Sequence, residues 1–366
     1  MPWSQLLRKN ITDIENLRSK LGISEKEASQ LQELCKHFPM SVTPYYLKLI
    51  NWDDPHDPIR KMCIPAVSET DRGGTFDTSG EAGNTVYEGI QHKYHETALM
   101  LTTNRCATYC RHCFRKRLVG QSDDEIAHHF GNVVDYIRDH KEISNVILSG
   151  GDALMLPTRT ISRYIEAFVD MEHLDLIRIA TRMPVVLPMR ILEDVELLSA
   201  FDSLCRRKQL YLVTQFNHPR ELTKTAKEAL RALLKCGLII KNQTVLLKGV
   251  NDDPKILGEL LKGLTASGVV PYYIFQCRPV TGVMHSFQVP LSVGYEIVEE
   301  AKAMQNGQGK CLKYCMSHPK GKIEIIGKAD DDKMIFKYHQ AKYDEDAGRI
   351  FIRNITENET WLPDDI

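Results

Sequence analysis

The chain has 366 residues, 43% of them hydrophobic and 26% charged, with a formal net charge of -1. That length accommodates one large α/β domain with extensions, or two domains, and the near-neutral balance points to neither nucleic acid nor a membrane surface. No apolar run reaches the roughly 20 residues needed to span a bilayer.

The N-terminal stretch MPWSQLLRKNITDIENL lacks a long apolar core and carries acids early. It does not read as a signal or transit peptide, and the cytoplasm is the expected compartment. The 10 cysteines are then expected to be reduced thiols or metal ligands rather than disulfides. Most of the scattered ones read as small buried hydrophobes.

Residues 1–90 read as a helical and loop-rich extension. EKEASQLQELCKHF (25–38) places apolar residues at helical spacing, whereas DPHDPIRK and DRGGTFDTSGEAGNTVYEG are dominated by turn formers. From residue 97 short apolar runs alternate with amphipathic stretches. The runs are TALMLTT (97–103), NVILSG (145–150), LIRIAT (176–181), LYLVTQ (210–215), LIIKNQTVLL (238–247) and PYYIFQ (271–276). The stretches include DEIAHHFGNVVDYIRDHK, ISRYIEAFVDM, TKTAKEALRALLKCG and PKILGELLKGLTASG.

This alternation predicts parallel strands with helices outside, in an open doubly wound sheet or a barrel. A complete barrel has eight units. Six predict an incomplete (β/α)6 TIM-like barrel, open on one side for a large ligand. The expected organisation is an extension over 1–90, a barrel core over 91–310 and a C-terminal segment over 311–366. In the last, KIEIIG, KMIFKYH and RIFIRN read as antiparallel strands.

Polar residues collect where the strands end: SGGD after NVIL, TR after LIRIA, QFNHPRE after LYLV and QCR after PYYIF. In parallel α/β folds that edge carries the site. At the same edge lies RCATYCRHCFRKR (105–117), with Cys106, Cys110 and Cys113 in a C-x3-C-x2-C pattern. Three thiolates suit an iron–sulfur cube with one iron left open for a small chelating molecule. Zinc, with His112 as an awkward fourth ligand, and inert thiols are the other readings.

The string TTNRCATYCRHCFRKRLVG after the first barrel strand resembles the radical S-adenosylmethionine (radical SAM) superfamily, and the lysine 2,3-aminomutase family in particular. SGGDALML, TRMPVVLPMR, TQFNHPRE, NQTVLLKGVND and PYYIFQC extend the resemblance from about residue 90 to residue 325. It implies an isomerase that moves an α-amino group to the β-carbon by radical chemistry, with a [4Fe–4S] cluster, S-adenosylmethionine and pyridoxal 5'-phosphate (PLP).

The resemblance assigns Cys106, Cys110 and Cys113 to the cluster, and Ser149, Gly150, Gly151 and Asp152 to the methionine amino group. Gln243 and His112 fall near S-adenosylmethionine. Lys322 falls on the lysine that carries PLP, with Lys320 as its neighbouring competitor, and Lys93 falls on a residue that holds the PLP phosphate. Arg115 falls on the arginine that pairs with the substrate carboxylate. The bland alternatives are that SGGD is a turn with Asp152 as a helix cap, that Gln243 is a satisfied strand-end amide, and that Lys322 is solvated.

Lysine-specific members recognise the distant ammonium with two acids, and those positions are Arg278 and Cys315 here. A cation at 278 suits an acidic side chain such as glutamate, or a phosphate, unless Arg278 turns away to an acid elsewhere. Glu96 and Asp152 are the other acids nearby. The implied partners are a small amino acid, an electron donor such as flavodoxin or ferredoxin, and further copies of the chain, with no nucleic acid and no membrane. The C-terminal tail lacks the cysteines that some members use for zinc. Competing readings are an aminomutase acting on a protein-bound lysine, of the elongation factor P type, and a non-catalytic Fe–S or zinc protein. The long extension argues against the first, and the joint presence of Lys322, Arg115 and SGGD against the second.

Overall fold

The computed structural model describes residues 3–366. One 12-stranded sheet runs through it with its strands ordered as in the sequence. The barrel strands are β3 (Thr97–Leu101), β4 (Asn145–Ser149), β5 (Leu176–Ala180), β6 (Gln209–Thr214), β7 (Ile239–Leu246) and β8 (Val270–Gln276). Each lies on one of the apolar runs, and neighbours pair in parallel. A further strand, β9 (Lys313–His318), adds in parallel beside β8 and extends the run beyond six. Its sequence, KYCMSH, has too few apolar residues to stand out.

The C-terminal strands β10 (Gly321–Asp330), β11 (Lys333–Ala341) and β12 (Ile350–Asn354) follow as an antiparallel meander. At the other end, β1 (Thr85–Tyr87) and β2 (Ile90–Tyr94) add antiparallel to β3, so the extension is not wholly helix and loop. The sheet does not close, since β1 and β12 remain its edges.

Strand side chains alternate between two environments, as the pleat requires. Val146, Leu148, Ile177, Ile179, Leu210, Leu212 and Ile240 are fully buried beneath the outer helices. Those helices include Thr158–Val169, Lys224–Lys235 and Pro254–Ala266, and their buried faces supply Ile161, Ile165, Phe168, Leu230, Leu233, Leu257 and Leu261. Each such side chain contributes about 1.5–3 kcal/mol by leaving water. The opposite strand face (Leu99, Ile147, Arg178, Gln243, Val245 and Phe275) lines an internal cavity.

The cysteine segment is a long loop after β3 with little regular structure, and two sets of contacts shape it. The first joins it to the end of β4. Thr102 N–H donates to Ser149 O at 2.9 Å, and Asp152 N–H donates to Arg105 O at 2.9 Å. Gly150 lies at φ +118°, and a Cβ on Gly151 would fall well inside van der Waals contact of the Arg105 carbonyl. These glycines let the backbone of the cysteine loop approach, a different reason from the expected close approach of a ligand.

The second set joins the loop to the extension through buried charge. Glu69 accepts from Arg111 Nη2 and Lys116 Nζ, each at 2.6 Å. Glu81 pairs with Arg115 at 3.0 Å and Arg117 at 2.6 Å. Backbone bonds add to this, with Tyr109 N–H donating to Ser41 O and Arg111 N–H to Met62 O. Burial alone would raise both carboxyl pKa values. The facing cations instead hold Glu69 below its ordinary value, and Glu81 at about 2.

Three outcomes follow. Glu69→Ala leaves Arg111 and Lys116 buried without their carboxylate and is expected to lower unfolding stability in urea by about 3–5 kcal/mol. Stability from the depressed carboxyls is complete above pH 4.5 and is lost as pH falls toward 2, which acid titration of unfolding measures. Gly151→Ala is expected to push the cysteine loop off β4, so that reconstituted iron falls to less than half of wild type while far-ultraviolet circular dichroism stays native.

Candidate active site

A cavity of about 370 Å³ opens where the parallel strands end. It gathers the residues assigned above to the cluster, S-adenosylmethionine, PLP and the substrate, but not Lys320, Cys315 or Glu96. Cys106, Cys110, His112, Cys113 and Arg115 come from the loop after β3, and Ser149 to Asp152 from the end of β4. Gln243 comes from β7, Arg278 from beyond β8, Lys93 from β2 and Lys322 from β10. A separate outer cleft of about 540 Å³, walled by the extension, Arg105, Cys106 and Tyr109, shares only Cys106 with it.

The three cysteines line the cavity, and burial raises the Cys106 thiol well above its ordinary value and the Cys113 thiol to about 11. Among the described residues, no group of three or more His, Cys, Asp or Glu side chains is placed to hold a metal ion. Three thiols lining one cavity suit a polynuclear cluster, in which each binds a different iron. His112 lines the same cavity. The side-chain amides of Gln215 and Asn217 contact its Nε2 at 3.1 and 3.2 Å. Donation from both leaves the proton on Nδ1, which is buried without a partner. Burial keeps the ring neutral by pulling its pKa well below 6.5.

Asp152 is spent within the protein. It accepts from Leu154 N at 3.0 Å, Thr181 Oγ1 at 2.6 Å and Arg182 N at 2.7 Å. It is thus a cap of the short helix Ala153–Met155 and a tie between β4 and β5. Gln243 differs from the satisfied amide considered for it. It lines the cavity, and its side chain makes no hydrogen bond among the described residues, leaving the amide open to a ligand.

Arg115 uses its fork on Glu81, on Ser149 Oγ at 3.1 Å and on Gly150 O at 3.3 Å. Arg278 does not turn away to a distant acid. It donates to Ser79 Oγ at 2.8 Å and lies 4.1 Å over the Phe114 ring. No carboxylate among the described residues lies within ion-pair distance of it, and burial, with Arg115 beside it, pulls its pKa to about 10 against the nearby charge of Glu81.

Lys322 sits in an aromatic box, with Nζ 4.4 Å from the Tyr273 ring centroid and 5.9 Å from those of Tyr94 and Phe275. Its one hydrogen bond is to Gln340 Oε1 at 2.8 Å. Burial, aided by Arg178 and Arg278, brings its pKa to about 8. Lys320 instead bonds the carbonyl of Ile366. Lys93 donates only to the carbonyls of Ser79 and His318, and burial with nearby cations takes its pKa to about 7. Glu96 is bound to Gln340 and does not line the cavity. Cys315, at the second expected acid position, is buried off the cavity wall.

Three cavity features escaped the sequence reading. Arg178 projects inward from β5 with a buried Nε that has no partner; its alternation with Ile177 and Ile179 was the available signal. Arg182 donates to Cys110 Sγ at 2.7 Å. Glu81, from the loop-rich extension, carried no periodic signal at all. Among the described residues the acids on the cavity wall are Glu81 and Asp152, both held by internal partners, whereas Lys93, Arg115, Arg178, Arg182, Arg278 and Lys322 share it.

Comparison with known proteins agrees with this geometry. Residues 100–260 match the radical SAM superfamily. A putative L-lysine 2,3-aminomutase of Aquifex aeolicus (strain VF5) is 40% identical over 358 residues, 97% of this chain and 95% of that protein. The L-lysine 2,3-aminomutase of Clostridium subterminale is 36% identical over 308 residues, covering 83% and 73%. The glutamate 2,3-aminomutase of Clostridioides difficile (strain 630) is 34% identical over 317 residues, covering 86% and 74%. With its cysteine loop, strand-end motifs and lysine-bearing meander facing one cavity, the chain belongs to the lysine 2,3-aminomutase family of the radical SAM superfamily.

Proposed function

We propose that the protein is an amino acid 2,3-aminomutase whose substrate carries an acidic side chain, glutamate before lysine. The family's cofactors are a [4Fe–4S] cluster, S-adenosylmethionine and PLP. When bound, they supply the radical chemistry that removes and returns a hydrogen atom while an amino group moves to the adjacent carbon.

The chain's own residues hold and orient these groups. Cys106, Cys110 and Cys113 hold the cluster. The backbone of Ser149, Gly150 and Gly151, the open amide of Gln243 and the Nδ1–H of His112 face S-adenosylmethionine, while Asp152 fixes the loop that presents them. Lys322 is the covalent anchor for PLP. Its pKa of about 8 gives a neutral amine at far lower pH than a solvated lysine would. Lys93, with no carboxylate within ion-pair distance among the described residues, suits a phosphate dianion. Arg115 takes the α-carboxylate in place of one contact to Glu81, which retains Arg117. The aromatic walls exclude water from the reacting carbons.

The observation that carries the substrate assignment is Arg278. It is a half-buried guanidinium on the cavity wall with no ion-pair partner among the described residues. A lysine ammonium would meet this cation with no unpaired carboxylate to receive it, whereas a glutamate carboxylate completes it. The relative acting on glutamate by name supports this choice within the family.

We further propose the division of labour already drawn: the extension 1–90 braces the loop, 91–310 holds the cluster and S-adenosylmethionine, and 311–366 supplies the PLP lysine. The electron comes from an external one-electron carrier of the flavodoxin or ferredoxin kind. The chain assembles as a homo-oligomer, for which Ile350 and Ile352, 62% and 60% exposed on edge strand β12, offer apolar surface.

The reconstituted enzyme, offered glutamate and lysine separately under anaerobic conditions, is expected to yield the β-amino isomer of glutamate, detected by chromatography after derivatisation. Conversion of lysine without glutamate would overturn the assignment. Arg278→Gln is expected to raise KM for glutamate about tenfold to a hundredfold, the worth of a lost charge-assisted hydrogen bond, with cluster and PLP content unchanged.

A further inference from the structure

Arg182 follows β5 in the TR step and has no part in the roles above. Its guanidinium is held on several sides. Nε donates to Gln215 O at 3.0 Å, and Nη2 donates to Glu221 Oε1 at 2.6 Å and to Tyr46 Oη at 3.3 Å. Glu221 is itself fully buried and fixed. Its Oε1 accepts from Tyr46 Oη at 2.5 Å, and its Oε2 from the N–H groups of Asn217 and His218 at 2.6 and 3.0 Å. A planar fork fixed in this way has one remaining direction for Nη1, and that direction meets Cys110 Sγ at 2.7 Å. Tyr46 of the extension and Glu221 after β6 thus fix the guanidinium of Arg182, after β5, against one sulfur.

We propose that Arg182 is a positioning residue that fixes the Cys110 sulfur and raises the reduction potential of the cluster held there, with Glu221 moderating its charge. The inference rests on the assignment of Cys106, Cys110 and Cys113 as cluster ligands. Reduction adds one electron, taken from an external one-electron donor, and leaves the cluster one charge more negative. A fixed cation and N–H donor at a ligand sulfur favours that reduced state, since hydrogen bonds to sulfur and local charge are among the determinants of cluster potential. If Arg182 only held the fold together, its contacts to Glu221, Tyr46 and Gln215 would suffice, and the potential would not depend on it.

The test compares wild type, Arg182→Gln and Glu221→Gln. Each full-length protein is reconstituted anaerobically with iron and sulfide, assayed for both, and titrated with dithionite while electron paramagnetic resonance follows the reduced cluster. At equal iron content, Arg182→Gln is expected to shift the equilibrium at least about tenfold toward the oxidised cluster, a fall of about 59 mV for one electron. Glu221→Gln is expected to shift it the other way, because the guanidinium loses its counter-charge. A midpoint unchanged in Arg182→Gln at full iron content overturns the proposal. If Arg182→Gln holds no cluster, Glu221→Gln decides, with an upward shift supporting the proposal and an unchanged midpoint overturning it. A wild-type chain that takes up no iron defeats the ligand assignment, and this inference with it. Normal iron uptake with unmoved midpoints defeats the inference alone.

Discussion

Burial of Glu69 and Glu81 against the cations of the cysteine loop is the constraint on which the rest of the site depends. Arg111, Arg115, Lys116 and Arg117 would repel one another in a short free loop and seek water. Paired with two carboxylates inside the protein, they become rigid. Attraction between close opposite charges grows as the local dielectric falls, and so does the cost of leaving one unpaired. The loop is therefore held where these four charges are met, and Cys106, Cys110 and Cys113 there line the cavity. The extension is thus a structural half of the site.

The same economy of charge shapes the cavity. Its two acids are consumed by internal partners, and the surplus is cationic. Such a space suits the anionic groups of the cofactors and of an amino acid. It also makes the Lys322 amine easier to deprotonate, because burial and neighbouring guanidiniums disfavour its charged form. One electrostatic bias thereby serves two needs, affinity for carboxylate and phosphate and a reactive amine at the anchor.

Much of this was legible in the residues. The alternation of short apolar runs with amphipathic stretches located all six barrel strands, because strands packed under helices must be apolar at every second position. The thiol spacing, SGGD and Lys322 were readable because each is unusual in itself. Other features depended on contacts distant in sequence. β9 was hidden by its polar composition, and β1 and β2 by the turn formers around them. The partners Glu69 and Glu81 of Arg111, Arg115 and Lys116 lie 34 to 47 residues away in a segment without periodicity, so nothing within the basic run itself pointed to them. Arg182 was in a quoted motif, yet its contact with Cys110 spans 72 residues. The glycine pair was recognised, but what it accommodates is the loop backbone, which only the fold brings near.

The account joins cluster, PLP and substrate in one cavity with Lys322 as the covalent anchor, and trapping that anchor tests it most directly. Protein loaded anaerobically with iron, sulfide and PLP would be reduced with borohydride across pH 6–10, digested and mapped by mass. The account predicts a single pyridoxyl group on Lys322, with a yield that rises through pH about 8, since the amine is protonated below its depressed pKa and neutral above it. A pyridoxyl group on Lys320 or Lys93, or none on any lysine of a chain that holds its cluster, would contradict it.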